Sequence, residues 1–465
     1  MNVYLEVSMR SGKALVLAAL LFWIIPGCGD SEPAADTTGK TLVMVDSDGA
    51  FDDIKAILYL LEQPDVEILA LTMSGTGIAH CPAAAENTAA LLERIGAPDI
   101  PVACGRTEPL EGDNQAPEMW RNSADTLGGV ELPEPRSFSA DGAADLLRKT
   151  IEDADRNITL VALGPLTNVA EAIEEEPDLL DKVDMIYLMG GAVDVGGNVF
   201  MFYGNETAEF NIWADPTAAE MVFATEVPIT LVPLDATNEL PVTPYLYEAV
   251  AAHRDASAVA DFVADYLDVT PLLGGMYHWD ELAAVAATDE SVVTVEDRNL
   301  AVITSPGDRE GATVDDPAGR PVRVAVTADR AVFESLFYDA IIGTADPGVP
   351  AWEPDAVLSW DGTTCTYEGP DPLPDEFFVR LDNDGDGTLV FLTGAYDAGT
   401  TRADFEAALA AGEPGEPDWW LPGGQTFTPA GARDVWPMRG GEGLTALCYA
   451  GPTQVWEVAG PRLPD

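Results

Sequence analysis

The sequence predicts an α/β domain over residues 41–347 followed by a small all-β, sandwich-like domain over 355–465, on three observations. At the start, the apolar run Leu42–Val45 reads as a buried strand, and Asp52–Glu62 carries the apolar spacing of a helix. At the far end of the same domain, Leu300–Thr304, Val322–Thr327 and Phe333–Ile342 read as strand, strand and helix. The third observation is a change of pattern after Pro350-Ala351-Trp352-Glu353-Pro354, which marks a boundary. Beyond it, FFVRL, GTLVFLTG, LTALCYAG and TQVWEV are short runs separated by Gly, Pro and Asp turns, the signal of a β-sandwich. A hydrophobic content of 47% is ample for cores of this size.

Taken in order, the first forty residues do not read as fold. Met9-Arg10-Ser11-Gly12-Lys13 is a positive segment and Ala14–Ile25 a short apolar one, so residues 1–28 are expected to be a signal peptide. Ile25-Pro26-Gly27-Cys28 resembles a bacterial lipobox with Cys28 as the lipidated residue, and 29–40 would be a flexible tether. The expectation is an extracytoplasmic protein held to the membrane by a lipid anchor on Cys28, with plain cleavage and secretion as the alternative. The apolar run is short for a membrane span.

Thr41–Asp53, TLVMVDSDGAFDD, places Asp46, Asp48, Asp52 and Asp53 at the carboxyl end of the first strand and on the turn that opens the first helix. Open α/β sheets keep their ligand sites there. Carboxylates so close repel one another unless a cation sits among them, and oxygen-only ligation favours Ca²⁺ or Mg²⁺. The plainer reading is capping, since Asp-rich turns accept backbone N–H bonds and suit the positive end of the helix dipole. VDSDG also resembles the start of haloacid-dehalogenase phosphatases, with Asp46 as nucleophile and Asp48 as acid. The Asp52–Asp53 pair has no role in that scheme.

DxDxxxDD is similar to the DTDPGxDD signature of the inosine-uridine nucleoside hydrolase family, with Gly49-Ala50 where that family has Pro-Gly. Further family-like motifs follow in order: Ser74-Gly75-Thr76-Gly77 and Asn87, DTLGGVELP at 125–133, and ITLVALGPLTNVA at 158–170. IYLMGGA at 186–192, AEFNIWADPTAAEMVF at 208–223, LVPLDATN at 231–238 and HWDELAAVAA at 278–287 complete the series. The resemblance spans about residues 41–345 and implies a nucleoside-hydrolase-like open, mostly parallel sheet with flanking helices.

It also implies a reaction, the Ca²⁺-dependent hydrolysis of ribonucleosides to free base and ribose. Carried over position by position, Asp48 is a metal ligand and the general base. Asp53 and Asp280 complete the carboxylate set, and Leu163 offers its backbone carbonyl. Asp52 reaches solvent at the ion and a ribose hydroxyl, while Asp46 orients its neighbours. Glu209 and Asn211 resemble the family's ribose-hydroxyl ligands and would point the same way if AEFNI is extended. An upstream Asn assists them, with Asn198 the choice and Asn205 the alternative. The chemistry is coherent. A metal acidifies water, a carboxylate takes the proton, and a pocket rich in oxygen atoms stabilises the positive charge that develops on the ribosyl ring.

Purine-cleaving members of that family place a His just before the last Asp to protonate the departing base. Here that position is Trp279, with His278 one step back. His278 is the candidate acid and Trp279 a stacking surface for the base. His80, after the 74–77 stretch, is the other candidate, and Gly77 replaces an Asn that many members use near the substrate.

Eighty acidic residues against 23 basic ones give a formal charge of −57. That excludes nucleic acid as a partner, because phosphate recognition needs basic clusters. A neutral nucleoside suits this surface better than an anionic nucleotide, and a homo-oligomer is compatible with it. Five cysteines fit an exported setting. Cys28 would carry lipid and Cys365 pair with Cys448, while Cys81 and Cys104 form either a second bridge or two buried free thiols. LDNDGDGT at 381–388 has half of an EF-hand loop, but its twelfth position is Thr393 and its flanks read as strands, so an Asp-Gly hairpin turn is the better reading. The role of the C-terminal domain stays open between binding, spacing from the envelope and contact between copies. The rival from another class is a non-catalytic nucleoside- or sugar-binding lipoprotein that keeps the pocket.

Overall fold

The computed structural model describes residues 39–459 except 140, 200–203, 270–275, 350–351, 372, 375, 386–388, 397–419, 429–432, 440–444 and 451–454. The expected signal peptide, Cys28 and nearly all of the tether lie outside the described residues. No described helix is long and apolar enough to cross a membrane.

Thr41–Ser47 forms strand β1, and its run of apolar residues is continuous because both faces are covered. Val43 and Val45 pack with the helices Phe51–Leu61, Trp279–Thr288 and Arg330–Ile342. Leu42 and Met44 face the opposite layer, built on Ala143–Asp153, Thr167–Glu175 and Pro216–Phe223.

The sheet continues with β2 (Val66–Met73), β3 (Val102–Cys104), β4 (Ile158–Ala162), β5 (Val183–Met189) and β6 (Ile229–Val232). The strands β7 (Val293–Val302), β8 (Thr313–Asp315) and β9 (Arg320–Ala328) complete it. The order of the nine strands is β3-β2-β1-β4-β5-β6-β9-β7-β8. From β3 through β9 the neighbours run parallel, and β7 and β8 close the edge antiparallel. The chain moves outward from β1 through β2 to β3 and then returns to the other side of β1 at β4. The order reverses between β1 and β4, so the crevice beyond their carboxyl ends is the expected ligand position.

The C-terminal region holds two four-stranded sheets. One is β11-β10-β12-β15, from Cys365–Glu368, Ala356–Trp360, Glu376–Asn383 and Arg433–Arg439. The other is β14-β13-β16-β17, from Trp420–Thr428, Leu389–Tyr396, Thr445–Ala450 and Val455–Ala459. Leu358, Trp360 and Leu381 of the first share a core with Leu389, Phe391 and Cys448 of the second. A disulfide between Cys365 on β11 and Cys448 on β16 joins the sheets. One expectation changes, and one choice between alternatives is made. β12 and β13 fall in different sheets, so the Asp-Gly segment between them is a crossing and not a hairpin turn. Within it, residues 386–388 lie outside the described residues, and Asp382 is bonded by Arg380 through both oxygens at 3.0 Å. Cys81 and Cys104 stand beside each other as half-buried free thiols, not as a second bridge.

Candidate active site

β1 ends in a turn that only a glycine suits at its tightest point. Gly49 has φ +74°, and a Cβ there would meet that of Ala84 at 3.0 Å. The turn leads straight into the 51–61 helix. Asp53 reaches back to accept from the backbone N–H groups of Asp48 and Ala50, each at 2.9 Å, and Asp48 Oδ1 accepts from Ala50 N at 3.2 Å. The capping reading therefore holds for two of the four aspartates. It does not exhaust them. Asp52, Asp53 and Asp280 each bring a carboxylate oxygen within 4.8 Å of the others. Asp280 comes from the start of the 279–288 helix, so two helices aim their first turns at one point.

Burial is the leading influence on every carboxylate here, and it raises their pKa values. Asp52 is pushed up to about 8 by burial and then by Asp53 and Glu281, with Lys55 opposing. Asp48, Asp53 and Asp280 are raised for the same first reason, and their acidic neighbours push Asp48 and Asp280 further. Asp46, fully buried on β1, rises to about 7 although Thr72 and Asn168 donate to its Oδ1 at 2.6 and 2.7 Å. Mutually raised carboxylates with only oxygen donors to offer form a site that fits a hard divalent cation.

β4 supplies the facing wall. Leu163 follows it, and the carbonyl of Leu163 accepts from Asn211 Nδ2 at 2.9 Å, as does that of Met189 at 3.2 Å. Glu209 and Asn211 do not lie on an extended segment. Glu209 is the N-cap of the short helix Phe210–Ala214, and Asn211 is in its first turn. The cause is tertiary. The Glu209 carboxylate accepts from Gly191 N and Asn211 N at 2.9 Å and from Ile212 N at 3.2 Å. Burial raises it to about 7 against those bonds. Both side chains are still buried and brought to the crevice side of β5. Asn205 is committed to its own turn, accepting from Thr207 and Ala208 and donating to Glu310. Asn198 is half-buried and bonded beside Glu209, accepting from Phe210 N at 2.9 Å.

The 74–80 loop crosses directly over Asp48. A Cβ on Gly77 would overlap the Asp48 side chain, so the Asn that the family often has here would not fit. His80 is tied at both ring nitrogens. Nδ1 donates to Asp125 Oδ2 at 2.8 Å, and Nε2 accepts from Arg121 Nε at 2.9 Å. With both positions occupied, His80 has no proton to offer a departing base. His278 caps the 279–288 helix, with Nδ1 3.2 Å from Glu281 Oε1 and its ring 4.9 Å from that of Phe333. Glu281 also pairs with Lys55. A carboxylate acceptor places the His278 proton on Nδ1, facing Glu281. Burial lowers the His278 pKa. Trp279 is half-buried, its ring tilted 5.5 Å from that of Tyr277.

Lys55, Glu281, Arg121 and Asp125 escaped the sequence reading. The available signals were a lysine inside the apolar 51–61 helix, an acid directly after Asp280, and an arginine just ahead of the Gly-Gly loop.

The model of the inosine-uridine preferring nucleoside hydrolase family matches residues 43–335, well over half of the chain. The chain belongs to this family. Among relatives of this nucleoside hydrolase family, uridine nucleosidase 1 of Arabidopsis thaliana is 38% identical over 215 residues, 46% of this chain and 62% of that protein. The pyrimidine-specific ribonucleoside hydrolase RihA of Klebsiella pneumoniae is 34% identical over 241 residues, 51% of this chain and 73% of that protein. The chain therefore spans less than two thirds of the plant nucleosidase's length. The solved inosine-uridine preferring nucleoside hydrolase of Bacillus anthracis superposes with a TM-score of 0.58 at 26% identity, covering 65% of this chain and all of that one.

Proposed function

We propose that this chain is a Ca²⁺-dependent hydrolase of the N-glycosidic bond of ribonucleosides, releasing free base and ribose. The observation that carries the reading is the carboxylate cluster of Asp52, Asp53 and Asp280, with the buried Asp48 beside it, at the β1/β4 switch point of a chain in this family. Asp48, Asp53, Asp280 and the Leu163 carbonyl would hold the ion. When bound, Ca²⁺ supplies positive charge that acidifies and orients a water molecule.

Asp48 would accept the proton of the attacking water, its carboxylate set in place by the Ala50 N–H and by the loop above it. Asp52, half-buried, accepts from a ribose hydroxyl. Asn211 ties the Leu163 and Met189 carbonyls through Nδ2, which leaves its Oδ1 to serve the sugar. Glu209 and Asn198 complete the sugar contacts, and Trp279 gives the base a surface to stack on. Positive charge growing on the ribosyl ring meets carboxylate and amide oxygens already in place. The geometry gives no support to His278 as the acid for the leaving base, since its proton faces Glu281. The phosphatase alternative needs Asp46 as an accessible nucleophile, and Asp46 is fully buried with Oδ1 held by two donors.

The relatives' names include uridine, pyrimidine-specific and inosine-uridine preferring. Purine and pyrimidine ribonucleosides therefore both belong in the test. Release of base and reducing sugar is measured with Ca²⁺, after metal is stripped, and with Asp48→Ala. Turnover that is lost in the last two supports the hydrolase. Nucleoside binding without turnover in the folded, metal-loaded protein overturns it in favour of the binding lipoprotein. Anchoring through a lipidated Cys28 in an extracytoplasmic setting is part of the same reading, and Cys28→Ser should move the protein from the membrane fraction to the soluble one.

A further inference from the structure

Arg121 lies on the short helix Glu118–Ala124 and is 4% exposed. Its three side-chain hydrogen bonds go to two carbonyls and an imidazole rather than to a carboxylate. Its Nη1 donates to the Gly77 carbonyl at 2.9 Å, Nη2 to the Gly75 carbonyl at 3.0 Å, and Nε to His80 at 2.9 Å. His80 in turn is held by Asp125, through its backbone N–H and its Nδ1, both at 2.8 Å. A planar fork of donors is therefore fixed in angle by an imidazole and a carboxylate, and aimed at one loop.

The loop's other surface rests on Asp48. Ala79 N donates to the Asp48 carbonyl at 3.0 Å, and Gly77 lies so close that a Cβ would overlap the Asp48 carboxylate. The peptide group whose carbonyl Arg121 grips is the one linking Gly77 to Ile78. We infer that Arg121, oriented by His80 and Asp125, is a positioning residue that holds the Gly77–Ile78 peptide against Asp48 and so fixes the angle of the general base. This rests on the hydrolase reading above. A guanidinium pulling on a carbonyl also polarises that peptide, strengthening what its N–H offers on the other side.

The test compares wild type, Arg121→Lys and Arg121→Ala, the last with and without added guanidinium ion, all loaded with Ca²⁺. Steady-state base release is measured together with thermal melting and hydrogen exchange at the Ile78 and Ala79 amides. Misplacing the base should lower kcat of Arg121→Ala by about 10²-fold. KM should stay within about threefold, the pattern of an interaction realised only in the transition state. Guanidinium ion should restore part of kcat. Arg121→Lys keeps the charge without the fork and should lose about tenfold. Exchange at both amides should rise in each variant. If Arg121→Ala does not fold, Arg121→Lys decides. Folded variants with wild-type kcat and exchange overturn the inference, and so does a loss that follows the folded fraction and ignores guanidinium. A wild type that releases no base defeats the hydrolase reading instead, and amide exchange alone then decides whether Arg121 holds the loop.

Discussion

Lys55 and Glu281 form a buried ion pair that ties the helix bearing Asp52 and Asp53 to the helix bearing Asp280. Lys55 is 3% exposed and Glu281 fully buried. Burial pushes the Glu281 pKa up, but Lys55 and His278 more than offset it and hold the group below its usual range. The pair sets the distance between the two halves of the carboxylate cluster and places one positive charge beside it.

Removing one partner strands the other charge in a dry interior, which typically costs about 3–5 kcal/mol. Lys55→Met is expected to lose stability on that scale, and to weaken Ca²⁺ binding because Asp280 is no longer held against Asp53. The double variant Lys55→Met/Glu281→Leu should recover most of the stability, since nothing charged is left unpaired. Denaturant unfolding of the single and double variants checks this. Equal losses in both would mean that the pair does not act as a unit.

Metal removal should make stability depend on pH in a defined direction. The folded-state pKa values of Asp48, Asp52, Asp53 and Asp280 are all raised by burial above the ordinary 3.8, with Asp52 reaching about 8. A raised acid keeps its proton on folding, so the metal-free fold binds more protons than the unfolded chain and loses stability as pH rises across that window. A cation favours the charged forms and removes the penalty. The gain in melting temperature on adding Ca²⁺ to stripped protein should therefore grow from pH 5 to pH 8. A gain that stays flat or shrinks over this range would contradict the assignment of these carboxylates to the ion.

Gly77→Ala adds a single methyl group that would overlap the Asp48 side chain. Asp48 must rotate or the loop must lift. A loss in kcat of about 10²-fold is expected from displacement of the base, with the fold retained. Gly142→Ala, just ahead of the 143–153 helix with open space around it and a φ of −67° that any residue adopts, is the control for a generic glycine effect. Equal kinetics for the two variants would show that Gly77 does not crowd the base.

The parts of this architecture that are local in sequence were legible, and those that depend on distant partners were not. The β1–turn–helix unit could be read because a strand covered on both faces is apolar without a break, and because Asp and Gly punctuate its end. Its position at a topological switch depends on the order of strands in the sheet, which no local pattern carries. AEFNI was misjudged as possibly extended because the cap on its helix draws on Gly191, which belongs to another loop. The Asp-Gly segment after β12 carries a true turn signal, yet nothing local says which sheet the next strand will join. Lys55 and Glu281 look like unrelated charges until two helices meet. His80 was a reasonable acid until Asp125 and Arg121 occupied both its nitrogens.

On sequence Asn198 is the choice for the sugar contact and Asn205 the alternative, and in the structure the two differ in what each already holds. Asn205 is 3% exposed and takes part in four bonds with Thr207, Ala208 and Glu310. Asn205→Ala would strand buried N–H groups, at about 1–3 kcal/mol, and should lower the melting temperature while leaving KM of the folded fraction unchanged. The Asn198 side chain accepts from the Phe210 N–H, next to Glu209, and its backbone N–H donates to the Ala208 carbonyl. Asn198→Ala should raise KM about tenfold, the equivalent of one hydrogen bond of about 1.4 kcal/mol, with a smaller effect on melting. Steady-state kinetics and calorimetry on the two variants make the comparison. If Asn205→Ala moves KM and Asn198→Ala does not, the sugar contact belongs to Asn205, and the loop bonds described here must open when substrate binds.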